Sequence, residues 1–275
     1  MNKYSMESMH IGIIIPIYKS DLSDEEKISI TQVFQVLKKY RIIFVAPQSL
    51  NIINYKKYFE LNNHQLIRFN DKYFYQGLEG YNELLLSEVF YKMFSEFSYI
   101  LIYQPDAYVF RDELMEWCKG EYDYIGAPWL EDNDGQIKLN GVGNGGFSLR
   151  NIEKFLYIFS KCKIQTINEE SKIKRRFYKI QNKTIALRLK LLNLIGNKKV
   201  VYYRNKNINE DGFWGLTAPK ITRKFKTAPV EKAIKFSFDR YPDLLYRMND
   251  YKLPFGCHAW EKRNPEFWRK HISEL

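Results

Sequence analysis

The sequence predicts one α/β domain in which helices flank a mostly parallel central sheet, with a basic helical insertion late in the chain. Three observations support this class. Short runs rich in Ile, Leu and Val alternate with longer segments of helical periodicity, as in sheets whose strands are buried on both faces. The 275 residues suffice for one large domain. No internal repeat and no linker rich in Pro or Ser divides the sequence, so one domain is expected over residues 1–275.

The first part of the chain predicts a βαβαβ order. A continuous apolar run at 11–17 is typical of a buried strand, and Ser-Asp-Glu-Glu marks the start of the helix that follows. Apolar residues three or four apart predict a later helix before another apolar run. The predicted elements are strand 11–17, helix 23–40, strand 41–46, short helix 55–62, strand 65–69, helix 81–97 and strand 99–103.

The second part has shorter and more varied elements. Two short strands enclose a polar loop rich in glycine, and a basic segment follows the next helix. The predicted elements are helix 112–118, strands 122–125 and 146–149, helix 152–161, the basic insertion at about 165–199, strand 199–204, a helix or turn at 210–217, and an aromatic, loop-rich segment at 228–275.

The formal net charge of +11 is concentrated in one segment. Residues 171–209 contain 12 Lys and Arg and no Asp or Glu. Because Ile, Leu and Phe are interspersed with the basic residues at 172–199, this stretch could lie on an anionic membrane surface or pack on the domain as a solvated helical face. The basic residues do not alternate with a platform of aromatics, which disfavours a nucleic-acid partner.

Cysteine usage and hydropathy bear on location. The three cysteines form no CxxC pair, which favours reduced thiols in a cytosol. The first residues lack the pattern of a signal peptide, and no apolar run approaches the ~20 residues of a membrane span. We therefore expect a cytoplasmic protein that could be peripheral on the inner face of the cytoplasmic membrane.

A carboxylate follows the predicted strand 99–103, in the sequence Gln104-Pro105-Asp106. An unpaired buried charge is costly, so this position suggests a partner for Asp106. Ligands of parallel sheets bind at the carboxyl ends of the strands, and a carboxylate there can hold a divalent cation that binds a diphosphate. The alternative is that Asp106 caps the following segment or pairs with Arg111.

Three further stretches could carry chemistry. Four glycines within residues 141–146 let the backbone approach a ligand, although an ordinary hairpin loop is the alternative. Glu210 and Asp211 could supply a general base or only a charge pair at a helix N-terminus. His258 could complete a cation site or be structural.

These four stretches, in this order, resemble the GT-A class of nucleotide-sugar-dependent glycosyltransferases. That class has a DxD motif, a glycine-rich loop, an xED motif and a C-terminal His. Within it, the chain is similar to a bacterial group of GT-A-like proteins catalogued as a domain of unknown function. The resemblance covers about residues 10–262 and is carried by YNELLLSEVFY, YILIYQPDAYVFRDEL, YDYIGAPW, VGNGGFSLR, NEDGFW and PFGCHAW.

The resemblance implies a role for each matching position. Asp106 and His258 would hold Mn²⁺ or Mg²⁺, and Asp211 would be the catalytic base. Gln104 stands where the motif has its first Asp, which lowers the negative charge available to a cation. The implied nucleotide and donor residues are Pro16, Ile17, Tyr18, Gln104, Asp106, Gly145 and Gly146. The implied acceptor-side residues are Glu210, Trp214 and Trp129.

The implied function is transfer of a sugar from a nucleotide sugar, expected to be a UDP-sugar, to a hydroxyl of a glycan or of a polyprenyl-diphosphate-linked glycan. Inversion at the anomeric carbon and a role in bacterial surface polysaccharide synthesis are expected. Gln104 keeps open an inactive module that binds a sugar nucleotide without turnover. The net charge keeps open a nucleic-acid-binding protein.

Overall fold

The computed structural model describes residues 9–60, 65–133, 136–167, 199–204 and 209–272. The strands are β1 (Ile11–Pro16), β2 (Arg41–Pro47), β3 (Gln65–Phe69), β4 (Tyr99–Tyr103), β5 (Ala107–Val109), β6 (Tyr124–Ile125), β7 (Pro128–Asn133), β8 (Gln136–Val142), β9 (Phe147–Asn151), β10 (Cys162–Ile167), β11 (Lys199–Arg204), β12 (Ser237–Phe238) and β13 (Gly256–His258). The helices are α1 (Asp24–Val36), α2 (Lys56–Glu60), α3 (Lys72–Tyr75), α4 (Gly77–Leu85), α5 (Glu88–Met93), α6 (Leu114–Lys119), α7 (Ile152–Lys161), α8 (Glu210–Gly212), α9 (Ala218–Ile221), α10 (Val230–Phe236), α11 (Pro242–Met248) and α12 (Pro265–Trp268).

A six-stranded sheet in the order β3-β2-β1-β4-β9-β6 forms the centre of the fold. Strands β3, β2, β1 and β4 are parallel, whereas β9 is antiparallel to both β4 and β6. The predicted class, a mixed α/β fold with a mostly parallel sheet, is confirmed. The predicted alternation of strands and helices in the first part of the chain is also confirmed.

The central strands are buried on both faces, as their apolar runs predict. All six residues of β1 are buried, and neighbouring side chains enter different cores: Ile13 packs in one hydrophobic cluster and Ile14 in the other. Each fully buried side chain of this kind contributes about 1.5–3 kcal/mol relative to leaving it exposed. The carboxyl edge of this sheet, where β1 and β4 end, is the edge at which polar residues follow the strands.

The predicted single helix 81–97 is wrong, because the structure breaks it into α4 and α5. Ser87 has an extended backbone conformation, and its side chain accepts a hydrogen bond from the Phe90 amide at 3.3 Å. A serine N-cap of this kind starts a new helix. The predicted helix 23–40 begins as expected, with a capping box between Ser23 and Glu26, but ends at Val36.

The C-terminal segment is more ordered than the predicted loop-rich stretch. Strands β12 and β13 join β5 in a three-stranded sheet. The antiparallel register of β13 with β5 places His258 opposite Ala107, the residue after Asp106. This pairing brings the late histidine to the strand-end carboxylate.

The predicted basic insertion at 165–199 lies for the most part outside the described residues. Its flanking strands β10 and β11 pair in parallel. Within the described ranges, no helix combines the length and apolar character needed to cross a bilayer. The membrane contact through 172–199 and the single domain over 1–275 stay predictions.

Candidate active site

A cavity of about 560 Å³ lies beside the end of β4. All four predicted stretches contribute to its wall: Gln104, which follows β4, Gly145 and Gly146, Glu210 and Asp211, and His258. The structure therefore brings together residues that are more than 150 positions apart in the sequence, since Gln104 and His258 are separated by 154 residues.

Glycine is required at two positions of the loop because other groups approach its backbone closely. A Cβ atom at Gly145 would overlap the Glu210 carboxylate. A Cβ atom at Gly146 would overlap the His258 imidazole and lie 2.7 Å from Gln104 Oε1. The alternative of a hairpin loop is wrong, because β8 pairs with β7 whereas β9 pairs with β4 and β6.

The Asp211 carboxylate is held in place by two backbone amides. The Asn144 amide donates to Asp211 Oδ2 at 2.6 Å, and the Gly212 amide donates to Oδ1 at 2.9 Å. Asn144 has a left-handed backbone with φ of 67°, which asparagine tolerates better than most residues. Burial raises the pKa of Asp211, against the lowering effect of the two amide hydrogen bonds.

Glu210 is ion-paired to a buried arginine. Arg150 Nη2 lies 2.8 Å from Glu210 Oε1, and both side chains are almost completely buried. Arg150 also donates to the Tyr91 hydroxyl at 2.8 Å and to Ser148 Oγ at 3.0 Å. Burial raises the pKa of Glu210 to about 7, while the guanidinium of Arg150 acts in the opposite direction.

Two residues that line the cavity, Asn144 and Glu210, each have a buried side-chain atom with no hydrogen-bond partner among the described residues: Asn144 Nδ2 and Glu210 Oε2. Buried polar groups in native proteins are nearly always satisfied. One of these atoms is a donor and the other can accept a hydrogen bond. Together they suit a hydroxyl-bearing ligand in the cavity.

Asp106 pairs with His258 and Lys262, and the alternative partner Arg111 is wrong. His258 Nε2 lies 3.2 Å from Asp106 Oδ1, and Lys262 Nζ donates to Asp106 Oδ2 at 2.9 Å. Arg111 instead donates to the carbonyls of Leu253 and Pro254. Burial acts to raise the pKa of Asp106, but the hydrogen bonds and charges of its two partners hold it well below its usual range.

His258 has a second acidic neighbour, Asp239, which the motif comparison missed. Asp239 Oδ1 lies 3.7 Å from His258 Nδ1, and both residues line the cavity. Burial lowers the pKa of His258, but Asp106 and Asp239 outweigh it and raise the value to about 10. Asp239 directly follows β12, so the same strand-end position that marks Asp106 could have identified it.

The residues expected to hold Mn²⁺ or Mg²⁺ do not fit a resident cation as they are arranged. No group of three or more His, Cys, Asp and Glu side chains suited to a metal ion occurs in the described part of the chain. His258 Nε2 faces two oxygens, Asp106 Oδ1 at 3.2 Å and Gln104 Oε1 at 2.9 Å. The Lys262 ammonium group contacts the other oxygen of Asp106. The cation stays a prediction.

The two tryptophans predicted on the acceptor side have different positions. Trp129 lines the cavity. The prediction for Trp214 is wrong, because its side chain is fully buried in the core and its indole N–H donates to the Leu85 carbonyl at 3.2 Å.

The residues at the end of β1 lie outside the wall of this cavity. Ile17 is buried and its amide donates to the Val45 carbonyl at 2.8 Å. Tyr18 is 48% exposed. The contact of Pro16, Ile17 and Tyr18 with a nucleotide base stays a prediction.

Comparison with known families identifies the chain. The family described as "Protein of unknown function (DUF5672)" matches residues 63–258, and the chain belongs to this family. This confirms the resemblance to a family catalogued as a domain of unknown function. No curated protein matches the sequence.

Solved structures with a similar fold include several glycosyltransferases. The glycosyltransferase GlyE of Streptococcus pneumoniae TIGR4 matches with 11% identity and a TM-score of 0.48; the match covers 96% of this chain, which spans only 60% of the GlyE chain. The galactosyltransferase LgtC matches with 11% identity and a TM-score of 0.49, over 96% of this chain and 94% of its own. A glycosyltransferase involved in glycosylation of the PBCV-1 major capsid has 10% identity, a TM-score of 0.45, and coverage of 96% and 99%.

Proposed function

We propose that this protein is a glycosyltransferase. It transfers a sugar from a nucleotide-sugar donor, expected to be a UDP-sugar, to a hydroxyl of a glycan or a polyprenyl-diphosphate-linked glycan, with inversion. The observation that carries the proposal is the cavity in which a fixed, buried carboxylate, Asp211, lies beside the unpartnered polar atoms of Asn144 and Glu210.

Asp211 has the properties of a general base. Two backbone amides fix both of its oxygens, so the carboxylate is oriented before any substrate arrives. Its raised pKa brings its basicity closer to neutral pH, where a base is most effective. In the reaction, the acceptor oxygen forms a bond to the anomeric carbon while its proton passes to Asp211. The bond between the anomeric carbon and the diphosphate oxygen breaks, and its electron pair leaves with the nucleoside diphosphate.

The wall of the cavity suits the sugar of the donor, bound next to Asp211. Sugar hydroxyls both donate and accept hydrogen bonds, so one could accept from Asn144 Nδ2 and another could donate to Glu210 Oε2. Trp129 also lines the cavity and offers an apolar face. Attack by the acceptor from the side opposite the diphosphate inverts the anomeric carbon.

The alternative of an inactive sugar-nucleotide-binding module predicts binding without turnover. The preorganised Asp211 favours a transferase, because a module that only binds donor has no need for a buried, oriented carboxylate. We place the enzyme in the cytoplasm, peripheral to the membrane where its acceptor is lipid-linked. The basic residues 172–199 would then contact anionic lipid, and nucleic acid is not a partner.

The test begins with a thermal-shift panel of UDP-, GDP- and CMP-sugars, with and without MnCl₂. A ligand at about 100 times its dissociation constant should stabilise the fold by about 2.7 kcal/mol. With the stabilising donor, nucleotide release and product formation are then followed by mass spectrometry with candidate glycan acceptors.

The variant Asp211→Asn should bind the donor within a few-fold of the parent protein yet lose transfer by about 10²–10⁴-fold, the usual contribution of a general base. Asp250→Asn is the matched control, because Asp250 is exposed and has φ of 53°, which asparagine also tolerates. Near-normal transfer by Asp211→Asn would refute the base assignment. Binding without turnover for every acceptor would support the inactive module.

A further inference from the structure

Three cationic residues line the cavity or adjoin its lining: Arg240, Lys262 and Arg263, which we call the cationic rim. Arg240 and Arg263 line the cavity. Lys262 is next to Arg263 in a turn in which the amides of both residues donate to the Ala259 carbonyl, at 3.0 and 2.8 Å. All three residues are exposed, so a ligand can reach them.

The acidic neighbours of the rim hold it in position. Lys262 Nζ donates to Asp106 Oδ2 at 2.9 Å and lies 3.0 Å from Glu261 Oε1. Arg263 Nε lies 3.9 Å from Asp239 Oδ1. Since an ammonium group has three donors, Lys262 retains one for a ligand. The guanidinium group of Arg263 has other N–H donors besides Nε, and their planar arrangement matches the oxygens of a phosphate.

Lys262 contacts the carboxylate that the resemblance assigns to a divalent cation. A metal ion within bonding distance of Asp106 would meet the like charge of the ammonium group on the same carboxylate. Gln104 supplies no charge that would favour the ion. A cation of the protein itself therefore already compensates the charge of the carboxylate that would hold a metal.

We propose that the cationic rim binds the diphosphate of the nucleotide-sugar donor directly, with Lys262 in place of a divalent cation. This rests on the proposed function, because it assigns the part of the site that binds the leaving group. In the reaction, the rim stabilises the negative charge that develops on the diphosphate oxygen as its bond to the sugar breaks. Asp106 acts as a positioning residue that orients Lys262.

The experiment measures binding of UDP, GDP and CDP to the full chain by calorimetry, once with excess EDTA and once with MnCl₂. At least one of these nucleotides should bind in EDTA. Lys262→Gln should weaken that binding about tenfold or more, the order expected for a charge-assisted hydrogen bond. Lys262→Arg keeps the charge and should bind within a few-fold of the parent protein.

Lys38→Gln is the matched control, because Lys38 is exposed and precedes β2 at the opposite edge of the sheet. It should leave binding unchanged, and thermal unfolding should confirm that both glutamine variants fold. Nucleotide binding that needs MnCl₂, or binding in EDTA that Lys262→Gln leaves unaltered, would refute diphosphate binding by the cationic rim but not the proposed glycosyltransferase. If no nucleotide binds under either condition, both proposals are refuted.

Discussion

The buried ion pair between Arg150 and Glu210 makes a strong prediction about stability. Arg150→Met keeps a similar volume but leaves the Glu210 carboxylate in the core without its cation. Removing one partner of a buried pair typically costs about 3–5 kcal/mol. The variant also removes the hydrogen bonds of Arg150 to Tyr91 and Ser148. We expect a loss of about 3–5 kcal/mol in the free energy of unfolding at pH of about 8.

The loss should shrink at lower pH. Burial raises the pKa of Glu210 to about 7 in the parent protein, and removal of Arg150 would raise it further. At pH of about 5.5 Glu210 would be protonated in the folded variant, so the charge penalty disappears. What remains is an unpaired polar group at about 1–3 kcal/mol. The destabilisation by Arg150→Met should therefore increase as pH rises through about 7.

The assay is urea unfolding followed by tryptophan fluorescence, since Trp214 and Trp260 are buried and report loss of the core. The double variant Arg150→Met/Glu210→Gln should recover part of the loss at the higher pH, because no charge is then left uncompensated. Arg41→Met is the matched control: its ion pair with Glu96 is exposed and should be worth at most about 1 kcal/mol. An equal loss from the Arg150 and Arg41 variants, or a loss that does not change with pH, would refute the reasoning.

Two other substitutions test the loop and a buried carboxyl group. Gly146→Ala should lower nucleotide binding and reduce the free energy of unfolding by about 1–3 kcal/mol, because the new Cβ overlaps His258. Gly120→Ala is the control and should lose less stability, because its Cβ would come no closer than 3.1 Å to another atom. Burial raises the pKa of Asp123 to about 6, so its folded form binds protons more strongly than its unfolded form and stability falls as pH rises from about 4 to 6. Asp123→Asn should thus melt higher than the parent protein at neutral pH and equally at pH of about 4; a variant that melts lower at neutral pH would contradict this assignment.

Local patterns predicted the central strands well. The apolar runs of β1 and β4 have no polar face, and only burial on both sides satisfies such a strand. The single helix 81–97 was wrong because the apolar spacing continues through Ser87, where the hydrogen bond of the cap outweighs the periodicity. The hairpin alternative for residues 141–146 was also wrong, because β8 and β9 pair with other strands and not with each other. Such pairing depends on the order of strands in the whole sheet.

The motifs indicated Asp106, Gly145, Gly146, Asp211 and His258. The structure places the last four at one cavity, and Asp106 Oδ1 lies 3.2 Å from His258 Nε2. The sequence did not indicate how they interact. Lys262 is 156 residues from Asp106, and Arg150 is 60 residues from Glu210. The residues adjacent to a Lys or Arg in the sequence do not show whether its side chain contacts solvent or a buried carboxylate.

The sequence by itself determined the class of the fold and the chemical groups available, because side-chain periodicity and strand-end polarity are local properties. The tertiary structure decided which groups meet. The register of β13 on β5 brings His258 to Asp106, and the turn after Ala259 places Lys262 on the same carboxylate. The burial of Trp214 was settled in the same way, by its packing against Phe155 with ring centroids 4.0 Å apart. Contacts between distant segments depend on sheet order and packing, and these follow from the whole chain burying its apolar surface at once.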